Sequence, residues 1–237
     1  MMGRVERFEG RIAGFGTGVG TRVVVGMWET SPFGRFADVM VEFEPGIEGS
    51  GMGGGRGGGR GAGRDASPSS GAGPSGGHRL LLAPSAAVAE YVAATYSFDE
   101  VRVVEVRWGR VRGGLRVLAG PLEVRLAIGS PTAIGRALRS VPRAVAVHPA
   151  WLRVIDPVAR MLVPGARTSG SAGNGRREYY GVTRARAITS IEATWSGVPM
   201  GELRRLEPPV TFGFGSAPAT PTLVDIVTSI RMPRRRP

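Results

Sequence analysis

The 237-residue chain contains no cysteine, and all 31 of its Lys+Arg residues are arginine, so lysine is absent too. Without a thiol there is no disulfide framework, no thiolate metal site and no cysteine nucleophile. Without an ε-amine there is no Schiff base, no pyridoxal-phosphate lysine and no P-loop lysine. Histidine occurs only at His78 and His148, which is too few for a multi-histidine zinc or iron centre. Long hydrophobic runs are missing as well: none approaches the roughly 18 residues of a membrane-spanning helix. Residues 1–10 carry no apolar stretch behind their charges, so no secretory signal is expected and a cytoplasmic location is the default. There is no Ser-His-Asp arrangement, and Gly14, Gly16, Gly18 and Gly20 do not form a dinucleotide fingerprint, so no catalytic residue, metal or cofactor is indicated.

What is present supports one domain. A hydrophobic share of 42% against 21% charged residues is enough for a real core, and residues 1–230 read as a single α+β unit. The net charge is +12, but half of that excess falls in two segments of low complexity. Residues 49–77, GSGMGGGRGGGRGAGRDASPSSGAGPSGG, are too poor in apolar side chains to offset the entropy of ordering them. They are expected to form a disordered loop inserted at the tip of a β-hairpin, because Phe36 to Glu44 and His78 to Ala83 on either side read as strands. Residues 231–237 read as a flexible basic tail. If nucleic acid or an anionic surface is a partner, Arg56, Arg60 and Arg64 of the loop and Arg234, Arg235 and Arg236 of the tail would carry the binding. Elsewhere arginine and acid are interleaved, which gives little reason to expect a basic face on the folded body.

Strand patterns dominate the rest. Phe8, Gly10, Ile12 and Gly14 alternate with polar neighbours in an opening strand, and Gly14, Gly16, Gly18 and Gly20 suggest a glycine-lined bend that permits tight curvature or close strand packing. Thr21 to Trp28 is β-branched and follows as a strand, ahead of a turn at Ser31-Pro32-Phe33-Gly34. In the next strand Ala37, Val39, Val41 and Phe43 form one face, and Phe36, Asp38, Met40 and Glu42 the other. That mixed apolar and acidic face fits either a polar-tipped cavity or an edge strand with a salt-bridged outer face. Ser85 to Tyr96 is the first clear helix, with Ser85 as its N-cap. Strands return at Val101 to Trp108, Leu115 to Ala119 and Leu122 to Ile128. A helical pair spans Thr132 to Leu162, interrupted at Pro142 and again at Asp156-Pro157. A loop at 168–175 precedes strands at Tyr179 to Val182, Ala187 to Trp195, Val210 to Phe214 and Thr222 to Ile230, with a turn at Ser196-Gly197. This order is α+β with mostly antiparallel pairing, since regular βαβ alternation is missing.

The polar residues offer several ligand-binding candidates. Asp38 and Glu42 share a strand face, and Glu105 and Glu192 sit on other strands. Residues 176–180, RREYY, are the densest polar-aromatic cluster; strand alternation puts Arg177 and Tyr179 on one face and Glu178 and Tyr180 on the other, so at most half can face one pocket. Arg177 and Tyr179 are the pair whose fork and hydroxyl would orient an acidic ligand. Both histidines read as structural or solvated. The four tryptophans read as core or rim, with cavity lining as a further use.

Two stretches carry a resemblance. Residues 31–42 (SPFGRFADVMVE), joined to residues 78–108 (HRLLLAPSAAVAEYVAATYSFDEVRVVEVRW), resemble an uncharacterised family of actinobacterial proteins, and the likeness extends through Thr228 if the Gly-Arg loop is omitted. More distantly, over residues 21–128, the order of strands and helix is similar to the acetoacetate decarboxylase-like fold, a cone-shaped, barrel-like β-structure with an interior cavity. That family works through a lysine pair. The resemblance therefore implies a mostly antiparallel, barrel-like α+β fold and a small-molecule cavity, but no catalytic residue can be carried over. The expected function is small-molecule binding, or non-Schiff-base catalysis on acidic metabolites. The alternative is an RNA- or anionic-surface-binding protein acting through the arginine loop and tail.

Overall fold

The computed structural model describes residues 5–45, 77–162, 168–171, 176–213 and 217–231. Its strands are β1 (Val5–Thr17), β2 (Arg22–Thr30), β3 (Phe36–Glu42), β4 (Arg79–Ala83), β5 (Glu100–Val103), β6 (Val106–Val111), β7 (Gly114–Ala119), β8 (Leu122–Pro131), β9 (Ser169–Ser171), β10 (Arg177–Trp195), β11 (Val198–Pro199), β12 (Leu203–Arg204) and β13 (Thr222–Arg231). The helices are α1 (Ala86–Ala93), α2 (Ala133–Leu138), α3 (Arg143–Ala146) and α4 (Pro149–Leu162). One sheet runs in the order β5-β4-β3-β2-β1-β13-β10-β8-β7-β6; β9 and β11 add to β10, and β12 to β1. Among the described strands only the β4–β5 pair is parallel. The architecture is thus α+β and mostly antiparallel, with α1 after the first strands and a helical insertion between β8 and β9.

The sheet curls into a half-barrel because its long strands are irregular. Register shifts fall at Glu9/Gly10 of β1 and at Val182/Arg184, Arg186/Ile188 and Ile188/Ser190 of β10. Each such irregularity bends its strand and increases the local twist. As a result the two ends of the sheet approach each other, and the Arg35 guanidinium beside β3 lies 4.2 Å over the Trp108 ring of β6. The inside of the curl is filled: Val25, Val39 and Leu82 from one half and Val117, Val124 and Leu126 from the other belong to one apolar cluster. Each fully buried aliphatic side chain of this kind contributes about 1.5–3 kcal/mol.

Helix α1 starts where Ser85 caps it, with the Val88 backbone N–H donating to the hydroxyl at 3.4 Å. It packs Val88, Ala89 and Val92 on the outer, convex face, against Phe8, Phe36, Leu81 and Ile230. The insertion is three helices, not a pair. Thr132 caps α2, accepting from the Gly135 N–H at 3.0 Å. Helix α4 runs on past Asp156-Pro157, where a break is expected; the Asp156 side chain points back to accept from the Thr168 backbone N–H at 2.6 Å.

Several sequence readings need correction. Tyr179–Val182 and Ala187–Trp195 are parts of a single 19-residue strand. Its bulges hide the continuity, because each extra residue reverses the in-out alternation. Val104 and Glu105 divide the expected strand 101–108 into β5 and β6. The 168–175 loop begins with β9, which pairs with β10. Val210–Phe214 is not a strand where it is described. Pro208-Pro209 removes donors that a ladder would need, and the segment crosses the convex face as a covering strap. Strand β1 runs straight through Gly14 and Gly16 before turning at 17–20. At Gly16 a Cβ would stand 2.2 Å from the Arg205 carbonyl oxygen, so this glycine serves close packing against the chain beside β12.

Strands β3 and β4 pair with Glu42 opposite Arg79, so residues 49–77 are joined to the two ends of a hairpin. Residues 49–76 and 232–237, with Arg56, Arg60, Arg64, Arg234, Arg235 and Arg236, lie outside the described residues. Among the described residues no helix is long and apolar enough to cross a membrane.

Candidate functional site

On the convex face, α1 and the strap roof a cavity of about 80 Å³ whose floor is β1, β2, β3, β10 and β13. Alternation decides what it contains. Phe36, Asp38, Met40 and Glu42 all turn to this side while Val39 and Val41 enter the inner core, so the mixed face of β3 is the floor of a roofed cavity. The walls are mainly apolar, with Phe8, Val24, Phe36, Val92 and Phe212 among them.

Asp38 is the carboxylate in that wall, and it is only 2% exposed. Burial pushes its carboxyl up to about 7, even though the Trp28 Nε1–H, 3.0 Å from Oδ1, favours the charged form. The pairing of β2 and β3 sets Gly26 directly opposite Asp38. A Cβ there would fall 2.6 Å from Asp38 Oδ1 and 2.8 Å from Trp28 Nε1, so the glycine leaves room for their hydrogen bond. Gly26→Ala is expected to displace Trp28 from Asp38 and destabilise the fold by about 1–3 kcal/mol. Denaturant melts together with tryptophan fluorescence will show this; unchanged values for both would contradict the account.

A second acid stands behind the wall. Glu178, fully buried, accepts from the Tyr180 hydroxyl at 2.8 Å and from the Tyr96 hydroxyl at 3.1 Å. The two hydroxyl oxygens are 2.5 Å apart, and both tyrosines line the cavity. Burial raises the Glu178 carboxyl against the opposing tyrosine hydrogen bonds. Burial, and then the Glu178 charge, holds both phenols well above their usual range, so they remain protonated donors. Arg176 secures the end of α1 over this group: it donates to the Thr95 hydroxyl at 2.6 Å and the Tyr91 carbonyl at 3.1 Å, and lies 4.6 Å over the Tyr91 ring.

The strap is anchored by an ion pair. Arg22 and Glu42, whose side chains are 4% and 1% exposed, meet at 3.1 Å. Glu42 also accepts from the Thr211 backbone N–H at 2.7 Å and its hydroxyl at 2.8 Å, while Arg22 donates to the Pro208 carbonyl at 3.0 Å. Glu42 therefore holds the roof in place and does not line the cavity.

The other candidates lie elsewhere. Tyr179 is buried on the opposite face of β10, and Arg177 is exposed. The registers Glu178↔Ile230 and Tyr180↔Thr228 put the other half of the RREYY cluster on the cavity side. Glu105 is exposed and paired with Arg107, and Glu192 is exposed opposite Arg125 of β8. His78 meets Glu100 at 3.1 Å, and His148 accepts from the Ala150 N–H at 3.3 Å, so neither histidine stands at the cavity. Tyr180 stood out in RREYY, but nothing in the sequence linked it to Tyr96, because their meeting depends on contact between residues 84 positions apart. No group of three or more metal-ligating side chains occurs among the described residues.

No family model and no curated protein matches the chain. Among solved structures, acetoacetate decarboxylase from Legionella pneumophila subsp. pneumophila aligns with 97% of this chain and 86% of its own length, at a TM-score of 0.43 and 8% identity. The chain is distantly similar to that protein in the course of its backbone, and no chemistry is carried over from it.

Proposed function

We propose that the convex-face cavity binds a small, mostly apolar molecule with one hydrogen-bonding end, a carbonyl, hydroxyl or amine, that meets Asp38. The observation that carries this reading is a buried carboxyl, poised near neutrality, in an apolar wall to which no arginine contributes. A group in that state can donate or accept a proton at pH 7, which suits general acid-base chemistry as well as binding. Tyr96 and Tyr180 supply protonated hydroxyls beside it. Among the lining residues a carboxylate ligand would find Asp38 and no arginine, since Arg176 is engaged behind the wall by Thr95 and Tyr91, so the expected class moves from acidic metabolites towards neutral or protonated-amine molecules.

Thermal-shift measurement of the full chain against small ketones, alcohols, amines and carboxylates tests this. Ketones, alcohols or amines should stabilise the protein, by about 2.7 kcal/mol at a hundredfold excess over the dissociation constant, and carboxylates should not. Tyr180→Phe should weaken the response. Stabilisation by carboxylates alone, or a response unchanged in Asp38→Asn and Tyr180→Phe together, would refute the reading.

A further inference from the structure

The concave face of the same strands carries a second opening with the opposite charge. Beyond the apolar core, Arg11 of β1 is registered with Asp225 of β13, and Asp225 with Arg184 of β10, so three charged residues stand in a row. Arg186 follows two residues further along β10, opposite Leu223. Arg110 of β6 and Arg139, the C-cap of α2, complete a groove of about 610 Å³ floored by Leu115, Ile128 and Leu223. Five arginines from four elements thus line one basin.

Their charge is not balanced within it. Asp225 is the one carboxylate among the lining residues; Arg11 Nε donates to it at 3.2 Å, and Arg184 stands 3.8 Å away. Arg186 donates to the Gly129 carbonyl at 3.0 Å, which orients the fork but leaves its charge. A basin with an excess of four positive charges beside a low-dielectric core concentrates the field and draws in anions. Guanidinium forks match phosphate oxygens in pairs, and the apolar floor can receive the uncharged part of a ligand. Gly135 of α2 and the Gly113–Gly114 turn complete its lining, and a volume of about 610 Å³ is in the range of small-molecule sites.

We infer that this groove is a binding site for a phosphorylated small molecule carrying at least two phosphate groups. It is separate from the Asp38 cavity, and failure of either assignment leaves the other standing.

Calorimetric titration of the full chain with tripolyphosphate is the test. One site per chain is expected, with affinity falling as salt rises. The double variant Arg184→Ala/Arg186→Ala should weaken binding about tenfold, a difference near 1.4 kcal/mol. Arg184→Lys/Arg186→Lys should lose part of that affinity, and Asp225→Asn should gain some. Replacing Arg56, Arg60, Arg64, Arg234, Arg235 and Arg236 with alanine should leave binding unchanged. Circular dichroism melts of each variant separate lost binding from lost fold; if the alanine pair unfolds, the lysine pair and Asp225→Asn decide. No tripolyphosphate binding, binding that follows the loop and tail arginines, or binding of single-stranded RNA without any response to tripolyphosphate would overturn the assignment.

Discussion

Glu42→Ala is expected to lower stability by about 3–5 kcal/mol, the cost of breaking a buried ion pair from one side. The loss is large because the pair does two jobs. The Arg22 guanidinium, whose Nε has no hydrogen-bond partner among the described residues, would be left buried without the Glu42 counter-charge. Thr211 would lose the acceptor for both its backbone N–H and its hydroxyl, which frees the strap over the cavity. Replacing both partners with apolar residues, Arg22→Met with Glu42→Leu, should cost less than Glu42→Ala alone, since no charge is stranded. Glu105→Ala is the control: its pair with Arg107 is two-thirds exposed, and no measurable change is expected. Equilibrium denaturation, with limited proteolysis near 208–213, distinguishes these outcomes. A Glu42→Ala protein within about 1 kcal/mol of wild type would mean that the pair is solvated and the roof is held by other contacts.

The anchoring role of Glu42 was half visible in the sequence. Alternation in FADVMVE shows that Asp38 and Glu42 share a face with Phe36 and Met40, and that so apolar a face is unusual for plain exposure. It does not show that one acid ends in a cavity wall and the other under a strap, because the strap comes from 169 residues further along. Helix α1 was legible because its signals are local: a capping serine and apolar side chains at helical spacing. Strand β10 was not, since its three irregularities each reset the period-two pattern on which strand reading depends. The same limit governs RREYY. Alternation splits it into two pairs, but only pairing with β13 selects Glu178 and Tyr180 over Arg177 and Tyr179. Charge distribution was misleading in the opposite sense. Interleaving along the chain suggested a body without a basic face, yet strand registry gathers arginines from β1, β6, β10 and α2 into one groove, because neighbours across a sheet are remote in sequence.

Asp38→Asn should make the protein more stable than wild type at pH 8, by an amount that vanishes towards pH 4. In the folded protein the carboxyl keeps its proton up to about pH 7, whereas in the unfolded chain it ionises near 3.8. Below about pH 4 both states hold the proton and ionisation costs nothing. Between pH 4 and 7 the unfolded chain releases a proton that the folded one retains, so this site's contribution falls by about 1.4 kcal/mol per pH unit. Above pH 7 both states are ionised and the loss is complete, at most about 4 kcal/mol. Asparagine offers the same carbonyl oxygen to Trp28 Nε1–H but never ionises. The variant-minus-wild-type difference, measured by denaturation at matched pH, isolates this group from others such as Asp99, which Arg79 holds down to about 2. A difference that does not change from pH 4 to 8 would show that Asp38 titrates like a solvated carboxylate, and would remove the basis for its acid-base role. The same titration discriminates among ligands: a carbonyl that accepts from the protonated acid should bind more tightly below pH 7, and an ammonium that pairs with the ionised acid should bind more tightly above it.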